Sequence, residues 1–270
     1  MKSSSKRNQT SCGKGLAPVV LIATLLLLAG VTPVPADLAA NTLKNPKVVP
    51  PGSTAYGQTY AQWSEAWFQW AFSLPVTAHP LFDTADCSAG QSGNVWFLGG
   101  TFGASGIGVV RNCTIPAGKA LFFPIINNWA DNTDCSDGQM ISDGFTEDFL
   151  RSLVQANQDH AENLSCTIDG VTVGGLTDPI NTPYRVQTPT PGGFSYVLPA
   201  TDNILDFLGL TCWTDNTGTP LTVDAATYHP VGDGVYIMVK PLAAGTHTIH
   251  FSGSVGAFVE DITYNLTVLK

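Results

Sequence analysis

The chain has 270 residues, 44% of them hydrophobic, with 21 acidic and 12 basic side chains for a net charge of −9. That length can bury a substantial core. No basic cluster occurs beyond the N terminus, so the electrostatic source of nucleic-acid binding is missing, and the acidic balance also disfavours anionic lipid.

The first residues predict an export signal, residues 1–36. Lys2, Lys6, Arg7 and Lys14 form a positive segment without an acid. Leu16–Val31 is apolar but short of the roughly 20 residues of a membrane span. Val34 and Ala36 then occupy the small-residue positions of a cleavage site. Cleavage after Ala36 would remove four of the twelve basic residues and none of the 21 acidic ones, taking the net charge from −9 to −13. The expected location is outside the cytoplasm, periplasmic or extracellular, with no membrane span after cleavage.

Residues 37–53 are Pro-rich and aperiodic and predict an extended linker. "YAQWSEAWFQWAF" follows, Tyr60–Phe72, with three tryptophans, two phenylalanines and one charge. Thr59 and Gln62 make a capping box, and Pro75 ends the pattern. At about 100° per residue, Tyr60, Trp63, Trp67, Trp70 and Leu74 fall on one stripe, opposite Gln62, Glu65, Gln69 and Ser73. The spacing predicts a helix over 59–74 whose tryptophans pack into a core. The competing reading is an exposed aromatic platform for a sugar or a partner, which soluble proteins rarely leave so contiguous.

"NVWFLGG" and "GIGVVRNCTIPAGKALFFPIIN" predict strands joined by a Gly-rich hairpin loop. "NNWADNTDCSDGQ" is an acidic loop. A second helix is expected over 143–162, with Phe149, Leu150, Leu153 and Val154 as its apolar side and Glu147 and Asp148 near its positive end. From Ser165 onward short strands dominate: "SCTIDGVTV", "YRVQT", "FSYVL", "NILDFLGL", "GVYIMVK", "THTIHFSG" and "DITYNLTVL". In the last, Ile262, Tyr264, Leu266 and Val268 alternate with polar residues, the mark of a strand with one buried face. The expected fold is mainly β, a β-sandwich of immunoglobulin-like or jelly-roll-like type, with two packed α-helices. One domain over 54–270 is expected; the alternative is a split near 163.

Five cysteines follow the signal and form no CxxC. In an oxidising compartment they predict two disulfides and one thiol left over. Cys87 with Cys113 is the first pairing, because a hairpin around "VWFLGG" would bring them together. Cys166 with Cys212 is the second, leaving Cys135 free.

The strings "YAQWSEAWFQWAFSLP", "CSAGQSGNVWFLGG", "CTIPAGKALFFPIIN" and "PLAAGTHTIHF" resemble a group of uncharacterised exported bacterial proteins. The closing strands, "PLAAGTHTIHFSG" and "DITYNLTVL", also look like those of immunoglobulin-like domains on bacterial surfaces. The resemblance implies export and carries no activity, ligand or catalytic residue.

The sequence has no GxSxG, HExxH or P-loop motif. Five histidines, His79, His160, His229, His247 and His250, are scattered, and His247 and His250 should point to opposite faces of one strand. Asp131, Asp134 and Asp137 in "DNTDCSDG" form the best metal candidate, a calcium loop, although their spacing departs from an EF-hand. The expectation is an exported binding or cell-envelope protein without enzymatic activity, its partner an envelope glycan or protein. Two alternatives are a secreted hydrolase acting on a glycan or ester through loop carboxylates such as Asp83 and Asp86, and a purely structural envelope component.

Overall fold

The computed structural model describes residues 47–102, 105–134, 141–142, 144–209 and 218–270. The aromatic segment is helix α1, Tyr60–Phe72, and it starts with the expected capping box between Thr59 and Gln62. Its burial is wider than the tryptophan stripe. Phe68 and Phe72 are buried along with Tyr60, Trp67 and Trp70, whereas Trp63 is half-buried. Each indole N–H reaches a backbone carbonyl: Trp63 at Ala55 (2.8 Å), Trp67 at Leu98 (2.7 Å) and Trp70 at Ala89 (3.0 Å). Tryptophan can enter a core at little polar penalty when its N–H is satisfied in this way.

Two mixed sheets form the sandwich. The first has the order β1 (Val95–Phe97), β3 (Ala120–Ala130), β11 (Val231–Val239), β8 (Arg185–Gln187). The second has the order β2 (Gly106–Ile115), β13 (Phe258–Val268), β12 (Gly245–Val255), β6 (Ala161–Ile168), β7 (Val171–Thr172). Strands from either side of residue 163 therefore share the second sheet. β1 runs parallel to β3, and β2 parallel to β13.

All nine residues of β11 are buried, because the first sheet is covered on both faces, the arrangement that turns a strand into a continuous apolar run. On one face, α1 lies over Phe122 and Met238. The Tyr60 ring meets Phe122 at 5.7 Å, and the Tyr60 hydroxyl accepts from the Met238 N–H at 3.1 Å. On the other face, the second sheet covers one end, with Phe123 stacked on Phe251 at 5.0 Å. The other end is covered by helix α2, Glu147–Gln158, whose Leu150 and Val154 cluster with Val231.

Several expectations are corrected. β1 and β2 do not form a hairpin; they lie in different sheets. Cys87 and Cys113 are nonetheless at disulfide distance, with Cα atoms 5.8 Å apart, because the loop before β1 passes β2. In α2, Phe149 and Leu153 are exposed, and the inward face is Leu150, Arg151, Val154 and Gln158. Arg151 is drawn inward by the carbonyls of Thr188 (2.9 Å) and Pro189 (2.6 Å) and by Glu147 (2.7 Å). "NILDFLGL" opens as a short helix, α3 (Ile204–Phe207), because Asn203 caps the Leu205 and Asp206 N–H groups. The end of the expected linker belongs to the fold. Val48 and Val49 are buried against β11, and Lys47 pairs with Asp169. Burial would raise the Asp169 carboxyl, but Lys47, His247 and the Thr248 N–H outweigh it and hold it down at about 2. Among the described residues, no helix is long and apolar enough to cross a membrane.

Candidate functional site

The parallel partner of β3 is only three residues long. Pairing of β1 stops at Phe97 with Phe122, and the Leu98 N–H adds one last bond to the Phe122 carbonyl. Beyond Phe122 that edge of β3 has no described strand beside it. A cavity of about 350 Å³ forms there, lined by Trp67 and Phe68 of α1, the Gly100–Phe102 segment, Pro124–Trp129 of β3, Asn157 of α2, Leu208, and Val255, Phe258 and Glu260 around the β12–β13 turn. A cavity of this size that is largely apolar, with a few polar groups, has the character of a small-molecule site.

Glu260 is the only ionisable side chain among the described lining residues. It sits on β13 two residues before Ile262 and shares the inward parity of Ile262, Tyr264 and Leu266, so the pleat turns it into the protein. It is 4% exposed. Its Oε1 accepts from the Thr101 N–H (2.9 Å) and hydroxyl (3.2 Å), while its Oε2 is buried without a hydrogen-bond partner. A Cβ on Gly100 would lie 2.3 Å from the carboxyl carbon, so any larger residue in the Gly99–Thr101 strap at that point would have to displace the Glu260 carboxyl. Burial pushes the Glu260 carboxyl up to about 7, against the pull of the Thr101 hydrogen bonds and the Arg111 charge.

Arg111 holds the other side of the strap. It too points inward, from β2, and is 7% exposed. Its guanidinium donates to the carbonyls of Gly99 (2.9 Å) and Gly100 (2.7 Å), to the Tyr264 hydroxyl (3.0 Å) and to Asp83 (2.6 Å). Arg111 therefore positions the strap from which Thr101 reaches Glu260, and Asp83 offsets its charge.

Three amides, Asn127, Asn128 and Asn157, complete the polar lining. Asn128 turns its Nδ2 to the Gln158 Oε1 (3.0 Å) and the Asp233 carbonyl (3.5 Å). The Asp233 carbonyl is a fixed acceptor, so it sets the orientation of that amide. Asn127 donates Nδ2 to the Tyr236 hydroxyl at 3.2 Å. Neither side-chain oxygen is taken by a described donor.

The residues singled out in the sequence fall elsewhere, apart from Trp67. Asp131 accepts from the Tyr196 hydroxyl (2.6 Å), the Trp129 indole (3.2 Å) and Thr133, so its oxygens tie β3 to the short strand β9 (Tyr196–Leu198). The Asp134 side chain and Asp137 lie outside the described residues, among which no group of three His, Cys, Asp or Glu is placed to hold a metal. Asp86 bonds Ser88 in its own loop. Cys166 is a free, fully buried thiol on β6, pushed up to about 12 by burial; Cys212 and Cys135 lie outside the described residues.

Three of the five histidines have side-chain contacts that tie the fold together, whereas the His229 Nδ1 is buried without a hydrogen-bond partner. His79 is fully buried, with Nε2 against the Ala71 carbonyl (2.9 Å) and Nδ1 accepting the Leu81 N–H (3.1 Å). That pair of contacts fixes one neutral tautomer, and burial holds its pKa down. His247 and His250 pair separately, with Asp169 and Asp261, from opposite faces of β12.

No protein-family model matches the chain, and no curated protein matches it significantly.

Proposed function

We propose that this chain is an exported binding protein, without catalytic activity, that seats a small and largely apolar ligand in the cavity over Glu260. The observation that carries the reading is the pairing of aromatic walls with one buried carboxylate whose second oxygen has no partner. A buried polar atom left unsatisfied costs roughly 1–3 kcal/mol, and a ligand donor at that oxygen would recover it. The hydrolase alternative needs a second ionisable group or an activated nucleophile facing the same space. The described lining offers neither, which favours binding.

The test is ligand screening of the exported protein by native mass spectrometry and tryptophan fluorescence, with Val255→Trp as a cavity-filling variant. Binding to the parent and loss of binding in the variant is the expected result. Binding unaffected by the filled cavity would place the ligand elsewhere, and turnover of a glycan or ester would revive the hydrolase. N-terminal sequencing of the same material should begin near Asp37; an intact Met1 would end the export reading.

A further inference from the structure

We infer that the ligand taken by this cavity is an organic cation, an ammonium group carried on an apolar, aromatic-sized body. The inference rests on the binding reading above and narrows its ligand class.

Three observations carry it. First, the one ionisable side chain of the described lining is an acid, Glu260, whose Oε2 is buried without a hydrogen-bond partner, and the other side-chain polar groups there are the neutral Thr101, Asn127, Asn128 and Asn157. A carboxylate or phosphate ligand would meet the Glu260 carboxyl and no described side-chain cation. Second, Phe68, Phe102, Trp129 and Phe258 supply aromatic rings around the same space, and aromatic walls with one carboxylate are the usual recognition chemistry for an ammonium ion. Third, the whole chain is acidic, at −9, so the long-range field draws cations toward it.

The opposing term is Arg111, whose charge acts on Glu260. It does not reach the cavity. Its N–H groups are committed to Asp83, Gly99, Gly100, Leu81 and Tyr264, and Asp83 offsets part of its charge. The charged and titratable groups facing Glu260 from the packed elements are therefore Arg111 with Asp83, and Tyr264 behind the strap.

The experiment compares two probes of one shape, phenethylammonium and 2-phenylethanol, by calorimetry or tryptophan quenching at pH 8.5 and 5.5. The ammonium should bind at least tenfold more tightly at pH 8.5. That preference should shrink toward tenfold per pH unit as Glu260 protonates below about 7, and it should vanish in Glu260→Gln. If that variant does not fold, the pH series on the parent decides. Equal binding of the two probes would overturn the cation assignment and leave the binding reading standing. Preference for the ammonium that is unchanged at pH 5.5 would place the cation away from Glu260 and overturn it as well. Binding of neither probe, nor of any ligand in the wider screen, would overturn both.

Discussion

Replacing Trp67 by alanine tests the core of the molecule and one wall of the cavity together. Trp67 is 3% exposed, its indole N–H donates to the Leu98 carbonyl at 2.7 Å, and its ring meets Phe68 at 5.4 Å and Trp70 at 5.9 Å, both edge-on. Truncating a buried Trp costs about 3–5 kcal/mol, the more so where the surroundings cannot collapse. Here the void would merge with a cavity that already exists, and Gly99, whose Cβ would sit 2.9 Å from the ring, has no side chain to fill it. The Leu98 carbonyl also loses its donor. For a chain of this size each kcal/mol moves the melting temperature by about 2–4 °C, so Trp67→Ala should melt about 6–20 °C below the parent. Trp67→Phe keeps most of the packing and loses the hydrogen bond, and should fall by about 1–2 kcal/mol. Calorimetric melting of parent and both variants is the assay. An alanine variant that melts within about 2 °C of the parent would mean the helix is not held by this ring.

Glu260 gives a pH prediction whose sign is fixed. Its folded carboxyl is raised from 4.5 to about 7, so the folded state keeps its proton longer than the unfolded chain. The stability this confers is full below about 4.5 and is lost as pH rises through about 7, a change of about 3 kcal/mol. Glu260→Gln should escape that loss, so denaturant titrations should show the variant gaining on the parent between pH 4.5 and 8; a constant difference would show that Glu260 is not buried in this way. Removing Cys87 and Cys113 together should lower stability by about 3 kcal/mol, the closure entropy of a loop spanning 26 residues, and should speed hydrogen exchange at the Gly99–Thr101 amides; non-reducing peptide mapping checks the pairing itself. A chelator should leave the melting curve unchanged, because Asp131 is already occupied by Tyr196, Trp129 and Thr133; a fall that millimolar calcium restores would reinstate the acidic loop as a stabilising metal site.

What could be read from the sequence was local. The capping box at Thr59 and Gln62, the helical period of the tryptophans and the alternation through Ile262–Val268 all act within a few residues, and each appears in the structure as expected. The opening of α3 is also local but ambiguous: Asn203 announces a cap, while "ILDFLGL" carries the apolar weight of a strand. What could not be read depends on pairing across the chain. Nothing near Val95 indicates that β1 lies parallel to β3, or that Cys113 sits in the other sheet. Glu260 stands between these cases. Extending the alternation back from Ile262 places it on the inward side, and a glutamate at an inward position is a signal in itself. Core packing and ligand contact are not alternatives at Trp67, whose side chain is buried and lines the cavity at once.

The strap over the cavity is held by two ties that share almost the same span. Asp83 to Arg111 is 28 residues and Cys87 to Cys113 is 26. Once the sulfurs are joined, the ion pair encloses only a few further residues, so little chain freedom remains to be lost when it forms. In the reduced protein the same ion pair closes a span of 28 residues without the sulfur bridge inside it. Since Arg111 grips the carbonyls of Gly99 and Gly100, two sulfurs outside the cavity contribute to how its wall is set before any ligand arrives.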